Sequence, residues 1–198
     1  MAALDIGSHE GYIMLLMAHL VGNEGRVFAF EPMPELFGGL KITRDSNQFK
    51  QIVLENSAVG AKQGSAQIHL QASERSASHS LAPSETSGQT QEINVIALDT
   101  YFEKQGWPAI DLIKLDVEGF ETEAIEGMQK LLEKSMPICA IELHLWADPA
   151  KLVSRMFELG YQFTHLNGKA CPGDEIQRRY DSGKGDTMIV IANPSRKN

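Results

Sequence analysis

Four ionisable side chains crowd into one short stretch, Lys114-Leu115-Asp116-Val117-Glu118-Gly119-Phe120-Glu121, where an apolar run meets a glycine. A core strand has no use for so many charges, because an ion removed from water is costly unless it is paired. A second pair, Glu142 and His144, ends the later apolar run Pro137–His144. Carboxylates and an imidazole in such places can take a proton from a substrate, hold a cation, or neutralise a buried lysine. Period-two spacing puts Lys114 and Asp116 on one face of their strand, and Glu142 and His144 on one face of theirs. If the two strands are parallel neighbours, the four groups meet at the strand ends. Lys114 and Glu142 then read either as a buried ion pair or as a catalytic pair. Asp116, nearer the strand end, is the better candidate for chemistry. His144 is either a general base, with an ordinary pKa of about 6.5, or a capped strand-end histidine. Glu118 and Glu121 flank a glycine at a helix start, where the helix dipole favours carboxylates in any case. A divalent metal would suit Asp116, Glu118, Glu142 and His144, but the spacing does not demand one and none is assigned.

A second constellation lies at the start of the chain. Asp5-x-Gly7-x-x-x-Gly11 sits between an apolar run and a helical pattern that opens at Tyr12. Glycines there admit a ligand close to the backbone, and a helix N-terminus offers N–H groups to an anion. The G-x-G-x-x-G dinucleotide fingerprint is absent, since position 9 is His and position 12 is Tyr. The wider spacing and the leading acid suit S-adenosylmethionine better. Its carboxylate would meet the turn at Gly7, Ser8, His9, Gly11 and Tyr12, and its ammonium would meet Asp5. Glu31, 20 residues after Gly11, ends the second apolar run and precedes Pro32. An acid there can accept hydrogen bonds from both ribose hydroxyls of a nucleoside. Ser57 and Ala58 close the third run, where an adenine would lie.

These residues need strands to end at one edge. Ala2–Ile6, Arg26–Phe30, Gln51–Glu55, Asp111–Val117 and Pro137–His144 are apolar runs separated by helical patterns at Tyr12–Val21, Pro34 to about Arg44, and about Gly119 to Glu133. Continuous apolar strands alternating with helices predict a parallel sheet covered on both faces. A helix from Asp148-Pro149 to about Leu159 and strands at Tyr161–His165 and Thr187–Ala192 predict an antiparallel edge. Ser65–Leu70 and Glu92–Leu98 read as further strands, with Asp99 capping a short helix to about Lys104. Ser73–Gln91 is rich in Ser, Thr, Gly and Gln and too long for a routine connection. It reads as a solvated hairpin tip or as a substrate lid. Leu166–Asp186 reads as a polar loop. All the candidate ligands then lie at C-terminal strand ends, the usual crevice of an open α/β sheet.

Composition bounds the rest. A chain of 198 residues with 42% hydrophobic and 22% charged content reads as a single globular domain spanning residues 1–198. Net charge is −8, from 18 basic and 26 acidic side chains, which disfavours nucleic acid as a partner. No apolar run reaches about 18 residues, so no membrane span is expected. No signal peptide is visible, and the two cysteines, Cys139 and Cys171, form no metal-spacing motif; their usage suits a reducing cytoplasm.

Asp111-Leu112-Ile113-Lys114-Leu115-Asp116-Val117-Glu118-Gly119-Phe120-Glu121, with Gly127 downstream, resembles the signature of the FkbM family of methyltransferases. Asp5 to Tyr12, Phe30-Glu31-Pro32 and Ala58-Val59-Gly60 resemble its other blocks in the same order, over roughly residues 3–145. Ser76–Leu81 is similar to a serine-containing loop that many members carry. The resemblance implies a Rossmann-like, doubly wound class I methyltransferase fold with a seven-stranded, mostly parallel sheet and an antiparallel edge. It implies S-adenosyl-L-methionine as donor and a hydroxyl of a sugar, glycolipid or natural product as acceptor, hence a small-molecule or glycan partner. Two departures stand out. Members often have Asn where this chain has His9. Members usually carry a helical segment before the first strand, so the chain reads as a short form or a fragment. Asp116, Glu118 and His144 are the candidate catalytic residues, with Asp116 also facing the cofactor. The other readings are a silent module of the same fold that holds the cofactor or a partner without turnover, and, disfavoured by the missing fingerprint, an NAD-dependent oxidoreductase.

Overall fold

The computed structural model describes residues 1–69, 90–183 and 187–195. In chain order the elements are β1 (Ala2–Ile6), α1 (Tyr12–Val21), β2 (Arg26–Phe30), α2 (Pro34–Ser46), β3 (Ile52–Glu55), β4 (Ala58–Val59), β5 (Gly64–His69) and β6 (Thr90–Ile96). They continue with α3 (Leu98–Glu103), β7 (Leu112–Leu115), α4 (Glu121–Glu126), α5 (Gln129–Ser135), β8 (Ile138–His144), α6 (Ala150–Glu158), β9 (Tyr161–Thr164), α7 (Gly173–Asp181) and β10 (Thr187–Pro194). Seven strands form one sheet in the order β3-β2-β1-β7-β8-β10-β9. All pairings from β3 through β8 are parallel, and β10 runs antiparallel to both β8 and β9. The expected parallel sheet with an antiparallel edge is therefore present. Between β1 and β7 the winding reverses, the position at which open α/β sheets form a ligand crevice.

Strand alternation explains how both sheet faces are covered. Ala3, Val27 and Ala29 pack with Met14 and Met17 of α1 and Leu40 of α2. Their neighbours Leu4, Ile6, Phe28 and Phe30 point the other way, into the larger core with Phe102, Leu131 and Met156. Each strand is apolar on both faces because each face lies under helices. The same alternation assigns the charges. Leu112 belongs to the α1 side of the sheet, while Ile113 and Leu115 belong to the larger core. Period two then carries Lys114 and Asp116 along the α1 side toward the turn after β1.

Four local expectations change. The helix expected from Gly119 to Glu133 is two helices broken at Gly127 and Met128. A Cβ on Gly127 would lie 2.0 Å from the Gly60 carbonyl oxygen, so the chain touches a neighbouring loop there and only glycine fits. Asp99 does not cap its own helix. It lies inside α3 and its carboxylate accepts from Lys130 N and Leu131 N, both at 3.0 Å, which caps α5 instead. The loop expected over Leu166–Asp186 contains α7, an amphipathic helix whose charged face carries an Asp174–Arg178 pair and whose buried face is mainly Ile176. Ala58-Val59 is a two-residue strand that joins β6 and β5 in a separate three-stranded sheet. The expected loop Ser73–Gln91 and the Ser76–Leu81 segment lie outside the described residues, except for Thr90 and Gln91 at the start of β6. Among the described residues no helix is long and apolar enough to cross a membrane.

Candidate cofactor and acceptor site

A cavity of about 330 Å³ opens over the C-terminal ends of β1, β2 and β7. Its wall includes Gly7, Ser8, His9, Tyr12, Glu31, Pro32, Ser57, Ala58, Asp116 and Glu118. Most of the expected cofactor residues, with Asp116 and Glu118 of the expected catalytic ones, thus share one wall. That size lies within the usual 300–1,000 Å³ or so of small-molecule sites.

The side of the cavity at the end of β1 is a main-chain construction. Gly7 N and Ser8 N both donate to the Phe30 carbonyl at 3.0 Å, tying the turn to the end of β2. Gly11 N donates to the Ser8 carbonyl at 2.8 Å, closing the turn before α1. His9 N donates to Glu31 Oε2 at 2.8 Å, and Met33 N to Glu31 Oε1 at 2.9 Å. His9 adopts φ 50, a left-handed conformation that His tolerates better than most residues. Glu31 is buried at 4% exposure, and burial pushes its carboxyl above the usual range despite the two N–H donors. Each of its oxygens keeps a second acceptor site toward the cavity.

These bonds revise two expectations. The amides of Gly7, Ser8, His9 and Gly11 have protein acceptors and form the frame of the turn. The glycines likewise answer to packing. A Cβ on Gly7 would lie 1.8 Å from the Asp116 carbonyl oxygen, and one on Gly11 would lie 2.6 Å from Leu40 Cδ2. Gly11 is accordingly absent from the cavity wall. Asp5 is absent as well: it is fully buried, 3.6 Å from Lys114 Nζ. Burial pushes its carboxyl up, against the pull of Lys114.

Lys114 also differs from expectation. Its ammonium donates to the Gly7 carbonyl at 2.6 Å and the Ile6 carbonyl at 3.4 Å, and lies 3.2 Å from Asp116 Oδ2. It does not pair with Glu142. The β1–β7 register sets Asp5 directly beside Lys114, and the carbonyls where β1 ends add acceptors that β8 does not offer. The lysine is structural, as the residue pattern allowed, but its partner is on the opposite neighbouring strand.

The side at the ends of β7 and β8 is built from side chains. His144, at the end of β8, is 4% exposed, and its ring lies 4.5 Å from that of Trp146. Its Nδ1 is 2.7 Å from Glu121 Oε1. Its Nε2 is 3.3 Å from Glu118 Oε2 and 4.0 Å from Asp116 Oδ1. Glu121 is itself 3% exposed, and its Oε1 accepts from Gly119 N at 3.1 Å and Val117 N at 3.4 Å. Burial would lower the His144 pKa, but Glu118 and Glu121 outweigh it and carry it up to about 10. An imidazole so held favours its protonated form; of the two readings open from the sequence, this fits a capped strand-end histidine better than a general base. The residue that sequence reasoning undervalued is Glu121, read as a dipole-favoured carboxylate at a helix start. Its signal was available in the position three residues beyond Glu118, at the first residue of the helix α4.

Glu118 and Gly119 follow β7 with φ 53 and φ 90. A left-handed non-glycine residue costs roughly 1–3 kcal/mol and persists where surrounding contacts hold it. Here that backbone turn brings the Glu118 carboxylate back over His144. Gly119 cannot be replaced without collision, since its Cβ would lie 2.7 Å from Trp146 Nε1.

Comparison with known proteins fits this arrangement. A family described as Methyltransferase FkbM domain matches residues 5–163. The hexuronic acid methyltransferase AglP of Haloferax volcanii is 29% identical over 165 residues, 82% of this chain and 65% of that protein. The crystal structure of methyltransferase FkbM from Methylobacillus flagellatus KT superposes with a TM-score of 0.58 at 17% identity, covering 96% of this chain and 43% of that one. SMU.1697c of Streptococcus mutans, solved in complex with SAH, gives 0.54 at 12% identity over 97% of this chain and 87% of that one. Those structural likenesses speak for the fold. This chain spans under two thirds of the length of AglP and under half that of the Methylobacillus protein. With the sequence match running from the acid that opens the glycine turn to the edge strand β9, the chain belongs to the FkbM methyltransferase family.

Proposed function

We propose that the chain transfers a methyl group from S-adenosyl-L-methionine to a hydroxyl oxygen of a sugar, with a hexuronic acid as the leading acceptor class. The observation that carries this reading is that Glu31, Asp116 and Glu118 line one cavity together with the turn after β1. Glu31 would accept from the ribose hydroxyls through the acceptor sites its backbone donors leave open. Ser57 and Ala58 would flank the adenine, and Ser8, His9 and Tyr12 the methionyl portion. The sulfonium methyl would then face Asp116 and Glu118. The donor supplies an activated methyl group. The protein's part is to align the acceptor oxygen with that methyl carbon and the sulfur, which can supply several kcal/mol through proximity alone. As the O–C bond forms and the C–S bond breaks, the hydroxyl proton departs, and carboxylates beside the oxygen favour its loss. The choice of hexuronic acid rests on what AglP acts on, and the whole-protein activity remains a proposal for this chain.

The test is transfer of labelled methyl from S-adenosylmethionine to a panel of hexuronic-acid-containing and neutral glycans. Label is expected on a sugar hydroxyl of the uronic members. Binding of S-adenosylhomocysteine with no transfer across the panel would replace the enzyme by a cofactor-holding module.

A further inference from the structure

We propose that Asp116, Glu118 and His144 form a site for a divalent transition-metal ion, which holds the acceptor through two of its oxygens. One ligand atom from each of the three residues lies within 4.8 Å of the others. For an ion with bonds of about 2.1 Å, ligand atoms stand roughly 3 to 4.2 Å apart. The His144 Nε2 distances, 3.3 Å to Glu118 and 4.0 Å to Asp116, fall in that window without movement.

Three further features are those of a metal centre more than of an ordinary ion-pair cluster. First, the imidazole is pre-oriented. Glu121 bonds Nδ1 at 2.7 Å, Gly119 N and Val117 N hold that same carboxylate, and Trp146 covers the ring. A carboxylate behind a ligating histidine fixes which nitrogen faces the metal and raises its basicity. Second, the backbone carries a strained turn at Glu118, φ 53, whose effect is to aim this carboxylate at Nε2. Third, Asp116, Glu118 and Glu121 converge on one imidazole, and Lys114 meets Asp116 through Oδ2, leaving Oδ1 on the His144 side.

The ligand set is one nitrogen and two carboxylate oxygens, with Asp116 31% and Glu118 29% exposed toward the cavity. Three protein ligands and an open side are the pattern of a site that takes substrate into its coordination sphere. Vicinal hydroxyls, or a carboxylate with its neighbouring hydroxyl, would chelate there. The ion would lower the pKa of the bound hydroxyl. That proton leaves to water, the oxygen attacks the methyl carbon, and the sulfonium departs as a neutral thioether. This role rests on the methyl-transfer reading above; the metal site itself does not.

Mn²⁺ is the probe. The full chain, stripped with EDTA, is titrated with Mn²⁺ while the electron paramagnetic resonance of the free ion is followed, and S-adenosylhomocysteine binding is measured separately. One Mn²⁺ per chain is expected. Asp116→Asn and His144→Gln should weaken it more than 10-fold, and Glu121→Gln about 10- to 100-fold through the orienting bond. Circular dichroism melts establish that each variant is folded, and Glu118→Gln gives a further ligand change of equal size and shape. No uptake by a wild-type chain that binds S-adenosylhomocysteine overturns the metal and spares the methyltransferase. Uptake indifferent to all of these changes overturns it too. Variant-sensitive uptake by a chain that ignores S-adenosylhomocysteine supports the metal and sinks the methyl-transfer reading.

Discussion

On the Gly7–Tyr12 side of the cavity, position is fixed by main-chain bonds: Gly7 and Ser8 to Phe30, Gly11 to Ser8, His9 and Met33 to the one buried carboxylate of Glu31. On the β7–β8 side, position is fixed by charge: Lys114, Asp116, Glu118, Glu121 and His144 hold one another. A backbone frame like the first wall tolerates little variation, whereas the second wall can be retuned by changing side chains. The two walls meet where the Asp116 carbonyl presses against Gly7 and Asp116 N donates to the Ile6 carbonyl at 3.2 Å. Lys114 bridges them as well, its ammonium meeting the Ile6 and Gly7 carbonyls and Asp116 Oδ2.

The largest effect is expected at that contact. Gly7→Ala would put a Cβ 1.8 Å from a backbone oxygen at φ +79, where neither partner can give way. A loss above roughly 4 kcal/mol is expected, read as a thermal midpoint far below wild type or failure to fold. A well-folded Gly7→Ala protein would show that the walls are not rigidly joined. Next comes Lys114→Met, which leaves Asp5 buried beside no cation. Removing one partner of a buried pair costs about 3–5 kcal/mol, and urea melts should show it. The double change Lys114→Met with Asp5→Asn should recover part of that loss. Equal stability of the single and double variants would mean that Asp5 is uncharged in the folded protein.

The sequence told more about the second wall than about the first, for a physical reason. Charges in an apolar run are visible by composition, so Asp116, Glu118 and His144 stand out by residue type alone. Which carboxylate reaches which cation depends on register, and register is not written in spacing. Lys114 could therefore be assigned to Glu142 on β8, when Asp5 on β1 stands beside it. In the first wall the glycine positions were legible but their reasons were not. Gly7 and Gly127 are needed because distant backbone carbonyls touch them, which is a tertiary fact. The parallel sheet was readable from its doubly apolar strands. The helix α7 was not, because a charged nine-residue segment with one buried side chain has too little apolar periodicity to separate it from a loop.

Glu31→Gln probes the main-chain wall with a smaller perturbation. Both oxygens of Glu31 accept backbone N–H bonds, and an amide can keep only one of those two acceptors. The turn at His9 should loosen and the ribose should lose a charged acceptor. A charge-assisted bond is worth about 1.5–3 kcal/mol, so S-adenosylmethionine affinity should fall by roughly 10- to 100-fold in a calorimetric titration. Unchanged affinity in both Glu31→Gln and Glu31→Ala would remove the ribose from this wall. The same titration on Asp116→Asn should show a smaller loss if the division between walls is sound.

The smallest expected effect separates glycines that serve the frame from glycines that do not. Gly38 and Gly39 lie inside α2, on the cofactor side of the sheet, with nothing within 4 Å of a built Cβ. A helix-interior glycine costs about 0.8–1.0 kcal/mol relative to alanine through backbone freedom alone. Gly39→Ala should therefore stabilise the chain by up to about 1 kcal/mol, with S-adenosylmethionine affinity unchanged. Stability and binding would then move independently within one wall, whereas at Gly7 both would be lost together. A Gly39→Ala variant that gained stability but bound the cofactor more weakly would tie α2 to the site, and the frame would have to be extended beyond the turn and Glu31.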